Sequence, residues 1–201
     1  MRAYLAGPEV FLPNARDILD RKIALARDYG FTPVSPGDLA VPETETKRQR
    51  GLAISAINER LMSSADLIIA NLTPFRGVAA DIGTAFELGF MCARGCPAFA
   101  FSNSTKSHFE RASRYYDGAL RLDHDGRYRG PDGMSLENFD MVDNLMLDGG
   151  IDSRGGTIVT RQVEADRLFV DLTAFEECLR IAATRLLERA VHAAPRETAN
   201  S

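Results

Sequence analysis

An α/β fold, a three-layer sandwich in which a mostly parallel sheet is flanked by helices, is what this sequence predicts, and three observations predict it. Residues 66–72, Asp66-Leu67-Ile68-Ile69-Ala70-Asn71-Leu72, form a nearly unbroken apolar run of strand length, the pattern of a strand covered on both faces. Short apolar runs then alternate with segments of helical spacing from residue 3 to residue 101, as parallel strands joined by crossover helices require. Finally, 201 residues with 45 % hydrophobic and 26 % charged side chains are enough to bury one core of this kind.

Taken in order, residues 3–6 read as a strand ending at Gly7-Pro8, and residues 15–29 as a helix closed by Gly30. Residues 31–34 supply a second short strand. The stretch 35–46, broken by Pro36, Gly37 and Pro42, must be loop, and a loop of this length beside a site often serves as a lid. A helix over 47–64 leads into the strand at 66–72, and after a loop at 73–80 a helix over 82–94 and a strand over 97–101 follow. Residues 102–137, polar and rich in Gly and Tyr, are expected to be ordered loop with a short strand or two. Helical spacing returns at 138–147, a last strand is expected at 168–170, and a helix at 174–191. The whole is one domain over residues 1–191, flavodoxin-like or Rossmann-like in architecture, with a flexible tail at 192–201.

The net charge of −4, with basic residues scattered among acidic ones, argues against gripping a nucleic-acid backbone. The N-terminal apolar run is too short for a signal peptide and no run is long enough to span a membrane, so a cytoplasmic protein is expected. Cys92, Cys96 and Cys178 are odd in number, which speaks against a disulfide framework, and Cys92-x3-Cys96 has no histidine pair to complete a metal site.

In a parallel sheet, sites form at the carboxyl ends of strands, which directs the search to three segments. After the first strand, Gly7 could let a ligand approach the backbone, though taken alone Gly7-Pro8 reads more readily as a simple turn. Neither a dinucleotide fingerprint nor a P-loop is present. After the third strand, Asp81 stands at the start of a helix and Glu87 six residues on, about 9 Å along the axis. That is too far for a shared proton but suited to a small substrate lying across both, with Gly83 exposing the first turn beneath it. The helix dipole would favour an ionised Glu87. The plain alternative is an ordinary cap and a surface glutamate; against it stand Phe86, Leu88 and Phe90 around Glu87, and two glycines, Gly83 and Gly89, each costing about 1 kcal/mol in a helix. The third segment, Asn138 to Leu147, reads on spacing alone as an amphipathic helix with solvated Asn and Asp side chains.

Together Tyr4-Leu5-Ala6-Gly7-Pro8-Glu9-Val10-Phe11, Asp81-Ile82-Gly83-Thr84-Ala85-Phe86-Glu87-Leu88-Gly89 and Asp143-Asn144-Leu145-Met146-Leu147 resemble, in the same order, the nucleoside 2-deoxyribosyltransferase family. The resemblance implies an enzyme whose substrates are a deoxynucleoside and a free nucleobase. Glu87 would be the nucleophile at C1′, with retention through a covalent glycosyl-enzyme. It further implies that Tyr4 orients Glu87, that Asp81 positions substrate, and that Asn144 reaches the sugar of a neighbouring subunit's site, with Met146 beside it. A homo-oligomer, at least a dimer, follows, and no metal or organic cofactor is implied.

One departure stands out: where some members carry a base-recognising aspartate, this sequence has Asn58, which can bond a base edge but cannot shuttle a proton. Two other readings keep the scaffold. One is an N-hydrolase of deoxynucleosides or their 5′-monophosphates; the other is a non-catalytic nucleotide-binding module.

Overall fold

The computed structural model describes residues 1–37 and 39–193. The chain runs through β1 (Arg2–Ala6), a 3-10 turn at Pro8–Phe11, α1 (Ala15–Asp28), β2 (Thr32–Val34), α2 (Lys47–Ser63), β3 (Leu67–Asn71), α3 (Ile82–Ala93) and β4 (Ala98–Ser102). It continues with α4 (His108–Tyr115), β5 (Arg121–Leu122), β6 (Tyr128–Arg129), α5 (Leu145–Asp152), β7 (Ile158–Thr160), a 3-10 turn at Ala165–Arg167 and α6 (Thr173–Ala193).

Five strands form one sheet in the order β2-β1-β3-β4-β7, every neighbouring pair parallel. This is the flavodoxin-like order, the expected α/β sandwich. Connections leave β1 to one side and β3 to the other, so a crevice opens at the carboxyl ends of these two strands. Side chains alternate across the sheet with the strand period of two. Leu5, Leu67, Ile69, Phe99 and Phe101 pack with α1 and α6 on one face. Tyr4, Ala6, Ile68, Ala70, Ala98 and Ala100 pack with α2, α3 and α5 on the other. The alanines of the second face let its helices lie close to the sheet, which brings α3 within reach of the Tyr4 side chain.

Four expectations need correction or completion. The last strand is Ile158–Thr160, not 168–170; Leu168, Phe169 and Val170 form a turn instead, where Phe169 packs edge-on against Phe75. The helix expected at 138–147 starts only at Leu145, because Asp143 and Asp148 spend their carboxylates on backbone N–H groups around it: Asp143 accepts from Ala80, Asp148 from Val142 and Asp143. Within the segment expected to be loop, β5 and β6 form a short hairpin, but α4 is a full helix with a capping box between Ser107 and Glu110. The final helix runs to Ala193, and the remainder of the tail expected from residue 192 lies outside the described residues.

Candidate active site

Tyr4 is fully buried on β1, and its side chain points toward α3 because it falls on that face of the pleat. Glu87 lies in the second turn of α3, next to Leu88, which together with Met91 anchors the helix on the sheet. The two meet: the Tyr4 hydroxyl donates to Glu87 Oε1 at 2.7 Å. At the start of the same helix, Asp81 is the N-cap, its Oδ2 accepting from the Thr84 N–H at 2.9 Å and from the Thr84 hydroxyl at 3.2 Å. A side chain on Gly83 would press its Cβ to 3.0 Å from that same oxygen, so the glycine leaves the capping carboxylate room and the first turn uncovered.

The expected ionised Glu87 meets an opposing force. Its carboxyl is raised from 4.5 to about 7, burial being the largest cause. The Tyr4 hydrogen bond opposes that rise, the nearby Asp81 charge adds to it, and the Lys22 ammonium opposes it. The helix start therefore does not hold this carboxylate ionised against its surroundings; near neutrality it exists in both forms.

Gly7 has a different task from the expected one. A Cβ there would collide with Glu9 Oε2 and sit 2.9 Å from the Asn71 side chain. The space above Gly7 is filled by the protein's own Glu9, which sequence reasoning overlooked. Glu9 Oε1 accepts from the Lys22 ammonium at 2.7 Å and from the Asn71 amide at 3.0 Å, all three side chains buried. Lys22 lies 5.5 Å from the Phe101 ring centroid and 5.0 Å from that of Phe175. The available signal was Lys22 itself, which stands on the apolar stripe Ile18-Lys22-Ala26 of α1.

A roof over the crevice was also missed. Phe11, at the end of the first 3-10 turn, stacks on Phe75 with centroids 5.3 Å apart, and the Arg76 guanidinium lies 4.6 Å from the Phe75 centroid and 5.1 Å from that of Phe11. Arg76 holds a left-handed φ of 54°, a conformation rare for a residue with a side chain.

The remaining sequence candidates stand on other elements. Asn58 is half-buried on α2, directly after the core residue Ile57. Asn144 is the N-cap of α5, accepting from the Met146 N–H at 3.0 Å and donating to both carboxylate oxygens of Glu137 at 3.1 Å. It lines a cleft of about 430 Å³ with Val78, His108 and Glu137. Met146 is 73 % exposed. The buried Asp143 ties this segment to the loop before α3, bonding the Ala80 N–H at 3.0 Å and Arg111 at 2.9 Å. On α3, Glu87 turns to β1 whereas the Cys92 thiol turns to the Gly150 carbonyl of α5.

The model of the nucleoside 2-deoxyribosyltransferase family matches residues 3–146. An uncharacterized protein of Schizosaccharomyces pombe is 31 % identical over 166 residues, 77 % of this chain and 79 % of that one. Among solved structures, a 2-desoxiribosyltransferase from Leishmania mexicana is 29 % identical with a TM-score of 0.58, covering 88 % of this chain and 97 % of its own. A conserved protein of Enterococcus faecalis, 18 % identical with a TM-score of 0.54 over 90 % of this chain and 98 % of its own, shares the fold. With the family pattern matched from β1 through the start of α5, the chain belongs to the nucleoside 2-deoxyribosyltransferase family.

Proposed function

We propose that this protein moves 2-deoxyribose from a deoxynucleoside to another nucleobase through a covalent glycosyl-Glu87 intermediate, with retention at C1′. The observation that carries the reading is the 2.7 Å hydrogen bond from the buried Tyr4 phenol to Glu87, set at the strand crevice of a family member. The phenol engages Oε1 and leaves Oε2 as the attacking atom. As the Oε2–C1′ bond forms, the N-glycosidic bond breaks and its electron pair goes to the departing base, which takes up a proton from Asp81 or water. The nitrogen of an incoming base then attacks C1′ from the opposite side, expels the Glu87 carboxylate and loses its own proton; two inversions give retention. Asp81 keeps Oδ1 available while Oδ2 caps the helix, so it can position substrate without surrendering the helix start. Asn58, as an amide, would bond the base edge without moving a proton. No step calls for a metal or an organic cofactor.

The site is completed by a second copy of the chain. Ile82 and Phe86, 86 % and 59 % exposed, form with Gly89 an uncovered stripe on the helix that bears Glu87, and Met146 is exposed near the start of α5. A symmetric partner covering this stripe would bring its own Asn144 and Met146 toward Glu87. Three free thiols fit a reducing, cytoplasmic setting.

Incubation of the purified protein with deoxyinosine and free adenine tests the reading. New deoxyadenosine supports transfer. Hypoxanthine released without deoxyadenosine makes the protein a hydrolase, and no change in either nucleoside removes the enzymatic reading.

A further inference from the structure

The two clefts on either side of Gly77 and Val78 differ in character. One, of about 480 Å³, has apolar walls from Val78, Val163 and Leu168 and the exposed ring of Tyr115. Its charged lining is entirely cationic, Lys106, Arg111 and Arg114, in a chain whose net charge is −4. Arg111 is already committed, donating to the carbonyls of Val78 at 2.6 Å and Lys106 at 2.5 Å and to Asp143 at 2.9 Å. Lys106 and Arg114 are not: among the described residues neither side chain is ion-paired with a carboxylate. Ser104, also in the lining and largely buried, accepts from the Lys106 N–H at 3.3 Å, which leaves its hydroxyl proton for a ligand.

We infer that this cleft binds a phosphate monoester carrying a planar body, of the size of a nucleoside monophosphate. Two uncommitted cations and a hydroxyl suit a phosphate dianion, the apolar walls and the Tyr115 ring suit a base-like plane, and the volume falls in the range of small-ligand sites. The sugar-transfer site cannot account for these cations. Tyr4, Asp81 and Glu87 are absent from the lining, and neutral nucleosides and bases need no such charge. The cleft is therefore a second site, separate from deoxyribose transfer. It touches the loop leading to that transfer site, because the Arg111 that lines it grips Val78 and, through Asp143, the Ala80 N–H beside Asp81.

Isothermal titration of the full chain with AMP, adenosine and inorganic phosphate decides the matter, with a Lys106→Ala/Arg114→Ala double variant as comparison and thermal melting as the control for folding. The single exposed-site variant Arg114→Glu serves should the double variant fail to fold. The expected result is saturable AMP binding that weakens with salt, persists under saturating deoxyinosine and falls about ten-fold or more in the double variant. Adenosine should not compete for it, and phosphate alone should bind more weakly than AMP. Four results would overturn the inference: no AMP binding, the same affinity in the variant, displacement of AMP by deoxyinosine, or phosphate binding as tightly as AMP.

Discussion

Two glutamates stand at the same end of the sheet and are treated in opposite ways. Glu9 is given a buried ammonium, a buried amide and a glycine that makes room for it; Glu87 is given a single neutral phenol and partial cover. The first is neutralised and immobilised by its partners, the arrangement of a carboxylate that holds structure. The second is left without a cation in contact, so burial lifts its pKa to about 7; each carboxylate keeps one oxygen, Oε2, without a hydrogen bond among the described residues, so the partner of Oε1 is what differs. At this end of the sheet burial alone does not single out the carboxylate proposed as nucleophile. What singles out Glu87 is burial with a weak, neutral partner.

The largest effect is expected at Glu9. Replacing Lys22 by Met leaves a buried carboxylate without its cation and is expected to cost about 3–5 kcal/mol in urea unfolding, a loss that adding Glu9→Gln should partly restore. If Lys22→Met unfolds at the parent midpoint, the structural role of the pair is wrong.

At Glu87 the sign reverses. Its folded pKa lies above the ordinary value, so the fold is favoured below pH 4.5 and loses that stabilisation as pH rises through about 7. Glu87→Gln, which cannot ionise, should therefore be more stable than the parent at pH 8, by no more than about 3 kcal/mol, and equal to it at pH 4. Melting curves at the two pH values check this.

Tyr4→Phe sharpens the contrast by removing the one bond that favours the ionised form most directly. The acid limb of kcat/KM, expected near 7 because the nucleophile must be ionised, should move to higher pH, with a rate loss of about ten-fold or more at neutrality. A pH profile that keeps its limb would show that the phenol does not tune Glu87. The smallest effect is expected at Asp81→Asn, which keeps the helix cap and should change stability by less than about 1 kcal/mol while lowering turnover. Unchanged turnover would confine Asp81 to capping.

How far the sequence alone could reach follows the same physical lines. The strand β3 was legible because both its faces are covered, and α3 because Asp81 announces its start and Leu88 and Met91 repeat at helical spacing. By contrast β7 spans three residues and has a nearby rival in Leu168-Phe169-Val170, whose apolar side chains pack from a turn. The helix α4 is polar enough to pass for loop, although Ser107-x-x-Glu110 is a capping box that could have revealed it. At the site, motif residues were found, and the structure joins Tyr4 to Glu87 while placing Asp81 at the start of the same helix. The Glu9–Lys22–Asn71 group and the Phe11–Phe75–Arg76 roof were not, because each gathers residues from separate elements and no local pattern encodes the meeting.

A covalent bond from Glu87 to an anomeric carbon would be read from intact-protein mass after exposure to a slowly turned-over deoxynucleoside analogue. The parent enzyme should gain the mass of one deoxyribosyl group, traced to the peptide containing Glu87, and Glu87→Gln should gain none. An adduct on another residue, or full-speed turnover by Glu87→Gln, would contradict the account.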